Sequence, residues 1–447
     1  MDRRDFLKSG IAAAGTMALA SCAGSKSGNT QSQELGEMTY RTDPKFGDKV
    51  SVLGYGCMRW PMKEENGDHV LDQDMINRLV DHAIANGVTY FDTAPVYHSG
   101  LSERATGIAL SRHDRSEYLI ATKLSNFDPR THSREASMAM YENSFKELQV
   151  EVIDYYLLHS LGADIEGFKK RYIDNGMLDF LVEEREKGKI RHLGFSFHGD
   201  AKSFDYYIGL HQKYHWDFCQ IQMNYLDWKY ATLNNARNCN GDYLYGVLEQ
   251  LGIPVVIMEP LLGGRLAKVP EAIAERFFQR DPSKSVASWA FRFCGSYPGV
   301  MSTLSGMTYM EHLEDNLKTF CPLDPLTEED FQFLDTVSKL MMEYPTIPCN
   351  DCKYCIPCEY GIDIPGILQH YNKCVNEGSI AADKMDPEYR KNRKRYLSTY
   401  AKAIPDLRQA DKCIGCGQCV PKCPQSIDIP RELRKIDRYV ENLRKDA

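Results

Sequence analysis

The chain has 447 residues, too many for one average domain, and its composition of 43% hydrophobic and 26% charged residues is that of an ordinary globular protein. Its formal net charge of −8 argues against nucleic acid as a partner. No run of the sequence is long and apolar enough to cross a membrane.

The first residues, 1–22, are predicted to be a targeting segment. Arg3 and Arg4 precede an apolar run of about twelve residues, which is too short to span a bilayer but typical of a signal peptide. The twin arginine resembles the signal of the Tat export route, and the motif LASC, which ends at Cys22, resembles a bacterial lipobox. We therefore expect an exported lipoprotein, anchored to a membrane through Cys22 and facing the periplasm or the cell exterior. The polar stretch 23–36 is predicted to be a flexible tether.

From about residue 50 to residue 320, short β-rich runs alternate with amphipathic helical stretches. The predicted strands are SVLGYG, VTYFDT, YLIATK, VIDYYLLH, IRHLGFS, FCQIQMNY, IPVVIME and GVMSTLS. Eight strands, each followed by a helix, predict an α/β fold of the (β/α)8 TIM barrel type. The alternative is a doubly wound open sheet, which would be expected to carry a G-x-G-x-x-G turn after its first strand; LGYGCMRW does not supply one.

Four polar residues fall at or just after the C-terminal ends of predicted strands, where a barrel of this type carries its chemistry. Asp92 and Tyr97 follow the second strand, Lys123 ends the third, and His159 ends the fourth. Each has an ordinary structural explanation by itself, but four on one rim of one barrel predict an active site.

The motif FDTAPVYHSGLSE at 91–103, together with ATK and YYLLHS, resembles the aldo-keto reductases over roughly residues 40 to 320. The resemblance implies a barrel domain at 37–325 and reversible hydride transfer between NAD(P)H and a small carbonyl or alcohol. It makes Tyr97 the general acid and His159 the residue that orients the carbonyl. Asp92 would hold Lys123, whose ammonium group is expected to lower the pKa of the Tyr97 phenol.

The same resemblance implies a dinucleotide site on the barrel. Its predicted contacts are Ser196, Gln220, Met258, Pro260, Leu261, Ser305, Gly306, Asp315 and Asn316. The Lys and Arg that grip a 2′-phosphate in NADP-preferring members fall at Gly306 and His312, so the choice between NADH and NADPH stays open.

After a predicted linker helix at 326–347, the region 348–447 contains two blocks of cysteines. The second has the spacing C-x2-C-x2-C-x3-C-P of bacterial ferredoxins, and both blocks end in the tetrapeptide IDIP. This pattern resembles the ferredoxin-like tail of one branch of aldo-keto reductases and predicts a smaller, mainly helical domain with two [4Fe–4S] clusters. A zinc site is the less favoured alternative.

The simplest assignment of the ligands is crossed between the blocks, because the fourth cysteine of a ferredoxin run ligates the other cluster. One predicted set is Cys349, Cys352, Cys355 and Cys423, and the other is Cys413, Cys416, Cys419 and Cys358. Cys358 comes one residue early and is followed by Glu359 instead of proline, so its role as a ligand stays open.

Two classes of function follow. The first is an aldo-keto reductase-type oxidoreductase in which the clusters relay electrons, with a redox protein as a second partner. The alternative is an electron-transfer or redox-sensing module, in which the barrel is mainly a scaffold with a dinucleotide site.

Overall fold

The computed structural model of this protein describes residues 35–43, 45–235 and 237–446. The predicted signal segment and all but the last two residues of the predicted tether lie outside the described residues. From Leu35 onward the chain forms one compact unit. Within the described ranges, no helix combines the length and the apolar character that crossing a bilayer requires.

A closed barrel of eight parallel strands forms the larger part of the unit. The strands of the described residues, in chain order, are β1 (Tyr40–Thr42), β2 (Lys49–Ser51), β3 (Leu53–Gly56), β4 (Met62–Glu65), β5 (Asp68–Leu71), β6 (Tyr90–Asp92), β7 (Leu119–Leu124), β8 (Ile153–Leu161), β9 (Ile190–Phe197), β10 (Phe218–Gln222), β11 (Val255–Met258) and β12 (Val300–Ser305). The barrel order is β10-β11-β12-β3-β6-β7-β8-β9. The predicted (β/α)8 barrel is confirmed, and the doubly wound open sheet is excluded because the strands close on themselves.

Two small antiparallel ribbons accompany the barrel. β1 pairs with β2 immediately before the first barrel strand, and β4 pairs with β5 in the connection that follows it.

Successive side chains of a barrel strand point alternately into and out of the barrel. In β6, Tyr90 belongs to the apolar cluster inside the barrel, whereas Phe91 packs in the larger cluster between the barrel and its helices. Asp92, two positions after Tyr90, therefore faces inward at the C-terminal end of the strand. The same alternation places Lys123 above Ala121 in β7, His159 above Leu157 in β8 and Gln220 above Phe218 in β10.

Helices cover the outside of the barrel. The helices between its strands are Gln73–Ala85, Ser102–Leu110, Arg134–Leu148, Ile165–Phe168, Met177–Glu186, Ala201–Gly209, His211–Tyr214, Asp227–Asn234, Gly241–Leu251, Glu271–Arg280 and Val286–Gly295, and Met310–Phe320 follows the last strand. In the first of these, the Asp72 side chain accepts the backbone N–H of Met75 at 3.1 Å and caps the helix. The predicted apolar face of this helix is buried: Ile76, Leu79, Val80 and Ala83.

The cysteine-rich tail, which we define as residues 348–446, has an apolar core of its own. It follows the helix Glu328–Met342 and contains the helices Ile364–Asn376, Tyr389–Ala403 and Ile429–Lys445. Because its core is small, a tail of this size gains stability from docking on the barrel or from bound metal.

The two IDIP tetrapeptides play the same structural part. Asp363 accepts the N–H of Gly366 at 3.1 Å, and Asp428 accepts the N–H of Arg431 at 3.2 Å, so each aspartate caps the helix that begins at the next residue. Each proline lies in the first turn, where a missing N–H costs no hydrogen bond. Each cysteine block therefore leads into a helix in the same way.

Candidate active site

Asp92 and Lys123 form a buried ion pair at the mouth of the barrel. Lys123 Nζ lies 2.5 Å from Asp92 Oδ1 and donates to the backbone carbonyl of Thr93 at 2.7 Å, and the lysine side chain has no solvent exposure. The second oxygen of Asp92 accepts from Gln220 Nε2 at 3.0 Å. A buried charge needs such partners, and together they hold the ammonium group in one position.

Tyr97 is held over this pair by a tight turn. The turn Tyr97–Gly100 contains two residues with left-handed backbone, His98 at φ 49° and Ser99 at φ 55°. His98 Nε2 accepts the backbone N–H of Trp60 at 3.0 Å. Burial lowers the pKa of His98 to about 4, so its imidazole remains a neutral acceptor and keeps the turn in place.

The pKa of the Tyr97 phenol is shifted in the direction opposite to that predicted from the sequence. Burial raises its pKa well above the usual value, and Tyr354 and Asp92 raise it further. The net pKa is therefore raised, not lowered as predicted from the nearby Lys123, because burial of the phenol is the largest contribution. Tyr97 is therefore a proton donor at neutral pH, which is the form that a general acid requires.

His159 lies beside Tyr97, with ring centroids 5.8 Å apart. Its Nδ1 is 2.6 Å from Ser125 Oγ. Burial, followed by the charges of Lys123 and Arg171, lowers the pKa of His159 well below its usual value, so the ring is neutral. If Ser125 donates its hydroxyl proton to Nδ1, Nε2 carries the ring proton and can donate to a carbonyl oxygen. Sequence reasoning missed Ser125, although it lies two residues after Lys123 beyond the same strand.

A residue of the tail also reaches this site, and the sequence analysis did not single it out. Tyr354 lies between Cys352 and Cys355 in the chain, and its ring centroid lies 6.3 Å from that of Phe127 and 6.5 Å from that of His159. The local signal for this contact is an aromatic residue between two predicted cluster ligands. Such a residue does not by itself indicate that its side chain packs against the barrel site.

Two predicted dinucleotide contacts lie close to the ion pair and are buried. Gln220 donates to Asp92, and Ser196 Oγ accepts the backbone N–H of Ser160 at 2.7 Å. These bonds use the Gln220 amide nitrogen and a lone pair of Ser196. The amide oxygen of Gln220 and the hydroxyl proton of Ser196 are the groups that could bind a carboxamide, so this end of the site fits a nicotinamide.

The remaining predicted contacts divide into two groups. The first group consists of the chain neighbours of Glu259, which are Met258, Pro260 and Leu261. The Glu259 carboxylate accepts a hydrogen bond from the Asn350 side chain of the tail at 2.8 Å. The second group consists of Ser305, Gly306, Asp315 and Asn316. Asn316 donates to Ser305 at 2.9 Å, and Asp315 accepts from Ser285 at 2.6 Å. The Arg59 side chain packs against Gly306, where an added Cβ atom would lie about 3.1 Å from it. Thus Ser305, Asp315 and Asn316 already have protein partners, while Gly306 and the neighbourhood of Glu259 are partly covered.

The structure brings cysteines of the two blocks close to one another, as the crossed sets require. Burial raises the pKa of the Cys349, Cys352 and Cys355 thiols, and Cys423 raises each of them further, which places these four side chains together. A cavity is lined by four cysteines of the second predicted set and by Cys355 of the first: Cys355, Cys358, Cys413, Cys416 and Cys419. Burial also raises the pKa of Cys419 to about 11, with further contributions from Cys413, Cys416 and Cys358. Cys358 thus lies with the second set.

The chemistry of the cysteine groups fits a [4Fe–4S] cluster. Among the described residues, all fourteen cysteines are outside disulfide bonds, so eight of them are available as two sets of four thiolates. Four thiolates are what one [4Fe–4S] cluster requires.

Glu103, at the end of the FDTAPVYHSGLSE motif, gives a pH-dependent contribution to stability. Burial raises its pKa to about 7, and Thr122 donates to its carboxylate at 2.6 Å. Between about pH 4.5 and pH 7 the folded state holds this proton more tightly than the unfolded state, so stability falls as pH rises. We expect Glu103→Gln to raise the free energy of unfolding at pH 8 by up to about 3 kcal/mol.

This gain should shrink towards zero as the pH approaches 4.5. The measurement is the unfolding midpoint of both proteins between pH 5 and pH 8.5. Exposed Glu142 in the helix Arg134–Leu148 provides the control, since Glu142→Gln should leave the pH profile unchanged. A constant difference at all pH values would contradict the assignment.

The C-terminal rim of this closed parallel barrel carries a buried carboxylate–lysine pair, a protonated tyrosine and a neutral histidine. These features define a class of barrel enzyme that performs proton-coupled chemistry on a polar substrate. The family model described as "Aldo/keto reductase family" matches residues 52–339, and the model described as "4Fe-4S dicluster domain" matches residues 348–428. The chain belongs to the aldo/keto reductase family of oxidoreductases and carries a C-terminal 4Fe-4S dicluster domain.

Individual relatives match parts of the chain. "Probable aldo-keto reductase 1" of Glycine max is 34% identical over 158 residues, which cover 34% of this chain and 42% of the soybean protein. "Protein tas" of Escherichia coli (strain K12) is 25% identical over 63% of this chain and 93% of its own length. A solved aldo-keto reductase from Klebsiella pneumoniae, in complex with NADPH, has a TM-score of 0.51 and 21% identity, and the match covers 68% of this chain and 96% of that one. The last similarity concerns the fold.

Proposed function

We propose that this protein transfers hydride between a nicotinamide dinucleotide and a small carbonyl or alcohol substrate, and that two [4Fe–4S] clusters in its tail exchange electrons with the barrel site. One observation carries the first part. The buried Asp92–Lys123 pair lies under a protonated Tyr97 and beside a neutral His159, an arrangement suited to passing one proton to a carbonyl oxygen.

The chain's own residues supply the proton and the orientation. A carbonyl oxygen at the mouth would accept from Tyr97 and from His159, and Tyr97 would release its proton as negative charge develops on that oxygen. Lys123, 5.1 Å from the tyrosine ring, would stabilise the phenolate that results, and Asp92 keeps the ammonium group in place. A bound reduced nicotinamide would supply the hydride.

The Klebsiella protein was solved with NADPH, which supports a dinucleotide here. Ser196 and Gln220 would hold the carboxamide of the nicotinamide. We propose no preference between NADH and NADPH. Exposed Gly306 carries no side chain that could bind a 2′-phosphate. Analysis of the nucleotide released from the purified protein would show whether the natural cofactor is NAD(H) or NADP(H).

The crossed sets of cysteines support two clusters, one held by Cys349, Cys352, Cys355 and Cys423 and the other by Cys358, Cys413, Cys416 and Cys419. Bound clusters would supply one-electron steps, and two of them match the two electrons of one hydride. A redox protein would then complete the path outside the chain.

The N-terminal segment supports export of the folded, cluster-bearing protein by a Tat-type route, with lipid attached at Cys22. In the native host, a Cys22→Ser variant should move from the membrane fraction to the soluble exported fraction, because it loses its anchor. Cell fractionation with antibody detection measures this, and Ser21→Ala is the neighbouring control. Wild-type protein that stays in the cytoplasm would contradict the proposal.

Anaerobic purification tests the proposed function most directly. The expected result is about eight irons per chain, bound NAD(P)(H), and dinucleotide-dependent turnover of small aldehydes. Zinc in place of iron would refute the electron-transfer part, and the lack of turnover with any aldehyde would refute the reductase part.

The alternative function is a redox-sensing module with the barrel as scaffold. It is favoured by the position of Asn350 and Arg59, which cover the surroundings of Glu259 and Gly306 where a dinucleotide is predicted to bind. That function predicts nucleotide binding without carbonyl turnover.

A further inference from the structure

The strand that carries His159 is irregular at its end. Between Leu158 and Leu161 the pairing of β8 with β9 shifts register, so that three residue steps along β8 match two along β9. Ser160, inside this bulge, has a left-handed backbone with φ 53°. Bulges of this kind re-aim a side chain next to an active site and leave backbone groups outside the hydrogen-bond ladder of the sheet.

A tyrosine hydroxyl and a guanidinium bind the backbone groups of His159. The N–H of His159 donates to Tyr172 Oη at 3.2 Å, and its carbonyl accepts from Arg171 Nη2 at 2.9 Å. Arg171 Nη2 also donates to Tyr172 Oη at 2.7 Å. Tyr172 in turn donates to the carbonyl of Leu124, the residue after Lys123, at 3.0 Å. One hydroxyl thus joins the ends of the neighbouring strands β7 and β8.

A π-helical segment places both side chains there. The segment Lys169–Ile173, in the connection after β8, has π-helical backbone. Such segments are rare in proteins and are frequently found at functional sites. Tyr172 has no solvent exposure, and Asn126 Oδ1 accepts from Arg171 Nε at 3.1 Å. The segment therefore holds these two side chains in one arrangement beside the backbone of His159.

We propose that Tyr172 is a positioning residue of the active site, whose hydroxyl fixes the bulged end of β8 so that the His159 imidazole faces the substrate oxygen. The inference rests on the proposed reductase function and deepens it, because it names the group that orients the orienting histidine. Arg171 holds the Tyr172 hydroxyl and the His159 carbonyl together. Tyr172 is too deeply buried to touch a substrate, so it acts through His159.

The test compares Tyr172→Phe with a matched control in the full, cluster-loaded chain. Tyr207→Phe is that control, since Tyr207 is also fully buried and donates to the carbonyl of Gly162, in the same connection after β8, at 2.7 Å. Each variant loses one buried hydroxyl, so their unfolding midpoints should fall by similar amounts. With a small aldehyde, Tyr172→Phe should lower kcat about 10- to 100-fold and change KM less than about threefold. Tyr207→Phe should leave both constants unchanged.

A double-variant cycle separates positioning from a general weakening of the fold. The variant His159→Gln keeps Tyr97 as the proton donor. In that background, Tyr172→Phe should lower kcat by less than about threefold, because the ring that it positions is gone. A loss as large as in the wild-type background would overturn the inference, and so would equal kcat values for wild type and Tyr172→Phe.

The ring nitrogens of His159 give a readout that does not depend on turnover. In protein made with ¹⁵N-labelled histidine, the ring signals that vanish in His159→Gln belong to this one of the twelve histidines. Wild type and Tyr207→Phe should show one neutral tautomer at pH 7, with Nδ1 accepting from Ser125. In Tyr172→Phe the two nitrogen shifts should move towards each other, because both tautomers become populated. Unchanged shifts in that variant overturn the inference.

Two further outcomes are also decisive. If Tyr172→Phe yields no iron-loaded protein, Arg171→Lys replaces it, since a lysine keeps the charge but cannot form the guanidinium's fork of hydrogen bonds. Its ring signals should change in the same direction, and unchanged signals overturn the inference. Wild-type protein that turns over no aldehyde refutes the reductase function, and the ring signals then decide the positioning role alone.

Discussion

A Tyr97→Phe variant is expected to lose carbonyl turnover by roughly 10²- to 10⁴-fold, the usual contribution of a positioned general acid. The ring stays in its turn beside Lys123 and His159, so only the proton donor is removed. Nucleotide affinity and cluster absorbance should be those of wild type, because neither the Ser196–Gln220 region nor the cysteine sets involve this hydroxyl. The measurement is anaerobic steady-state kinetics with the best aldehyde found for wild type.

Tyr90→Phe is the matched control for this experiment. Tyr90 lies two residues before Asp92 in β6, is fully buried, and has a hydroxyl with no hydrogen-bond partner among the described residues. Its removal should leave turnover unchanged. Undiminished turnover in Tyr97→Phe would show that Tyr97 is not the acid and would favour the scaffold alternative.

The second large effect concerns the cysteine pairing. If the ligand sets are crossed, Cys349 and Cys423 serve the same cluster, and the double variant Cys349→Ser with Cys423→Ser should lose one cluster only and keep about four irons per chain. If each block held its own cluster, the same variant would damage both and keep almost no iron. Iron and sulfide analysis after anaerobic purification separates these outcomes.

The complementary double variant gives the opposite pattern. Cys349→Ser with Cys358→Ser should lose both clusters under the crossed assignment and only one under the block assignment. Cys374→Ala controls for the loss of a buried tail thiol, since Cys374 lies between the blocks beside His370 and Ser379 and outside both sets. It should keep the full iron content.

Together these contacts make the tail part of the catalytic mouth. Asn350 joins the connections after β3 and β11, and the Tyr354 ring, between two predicted cluster ligands in the chain, lies 6.5 Å from the ring of His159. Truncating the tail would therefore do more than remove the clusters. It would also remove one wall of the site and expose the apolar faces of Phe127 and His159.

The barrel was predictable from the sequence because its signals are local. Short β-rich runs and an amphipathic helix such as Gln73–Ala85 are each recognised within a few turns of chain. The period of two along a strand and the common direction of barrel strands then place Asp92, Lys123 and His159 inside one rim. Cysteine spacing is equally local, and it indicated the dicluster domain.

The finer properties of the site were less predictable because they depend on burial. The pKa of Tyr97 was predicted to fall beside Lys123, but it is raised, chiefly because the phenol is buried. Likewise Gln220 was predicted as a cofactor contact, and in the structure it also holds Asp92. Neither the burial of a side chain nor the choice among several partners can be read from spacing.

The sequence by itself determined the barrel, the four polar residues at its mouth and the cysteine blocks, because each follows from local periodicity or spacing. Only the tertiary structure decided what lies against that mouth. Arg59 and Asn350 are 291 positions apart in the chain, and no periodic pattern relates them or links Tyr354 to His159. Such contacts form only when the barrel and the tail dock against each other. The fit of their surfaces depends on backbone geometry, as at Gly263, where an added Cβ atom would collide with the carbonyl oxygen of Asn350. It also depends on which buried polar groups still need a hydrogen-bond partner, and neither can be read from the sequence.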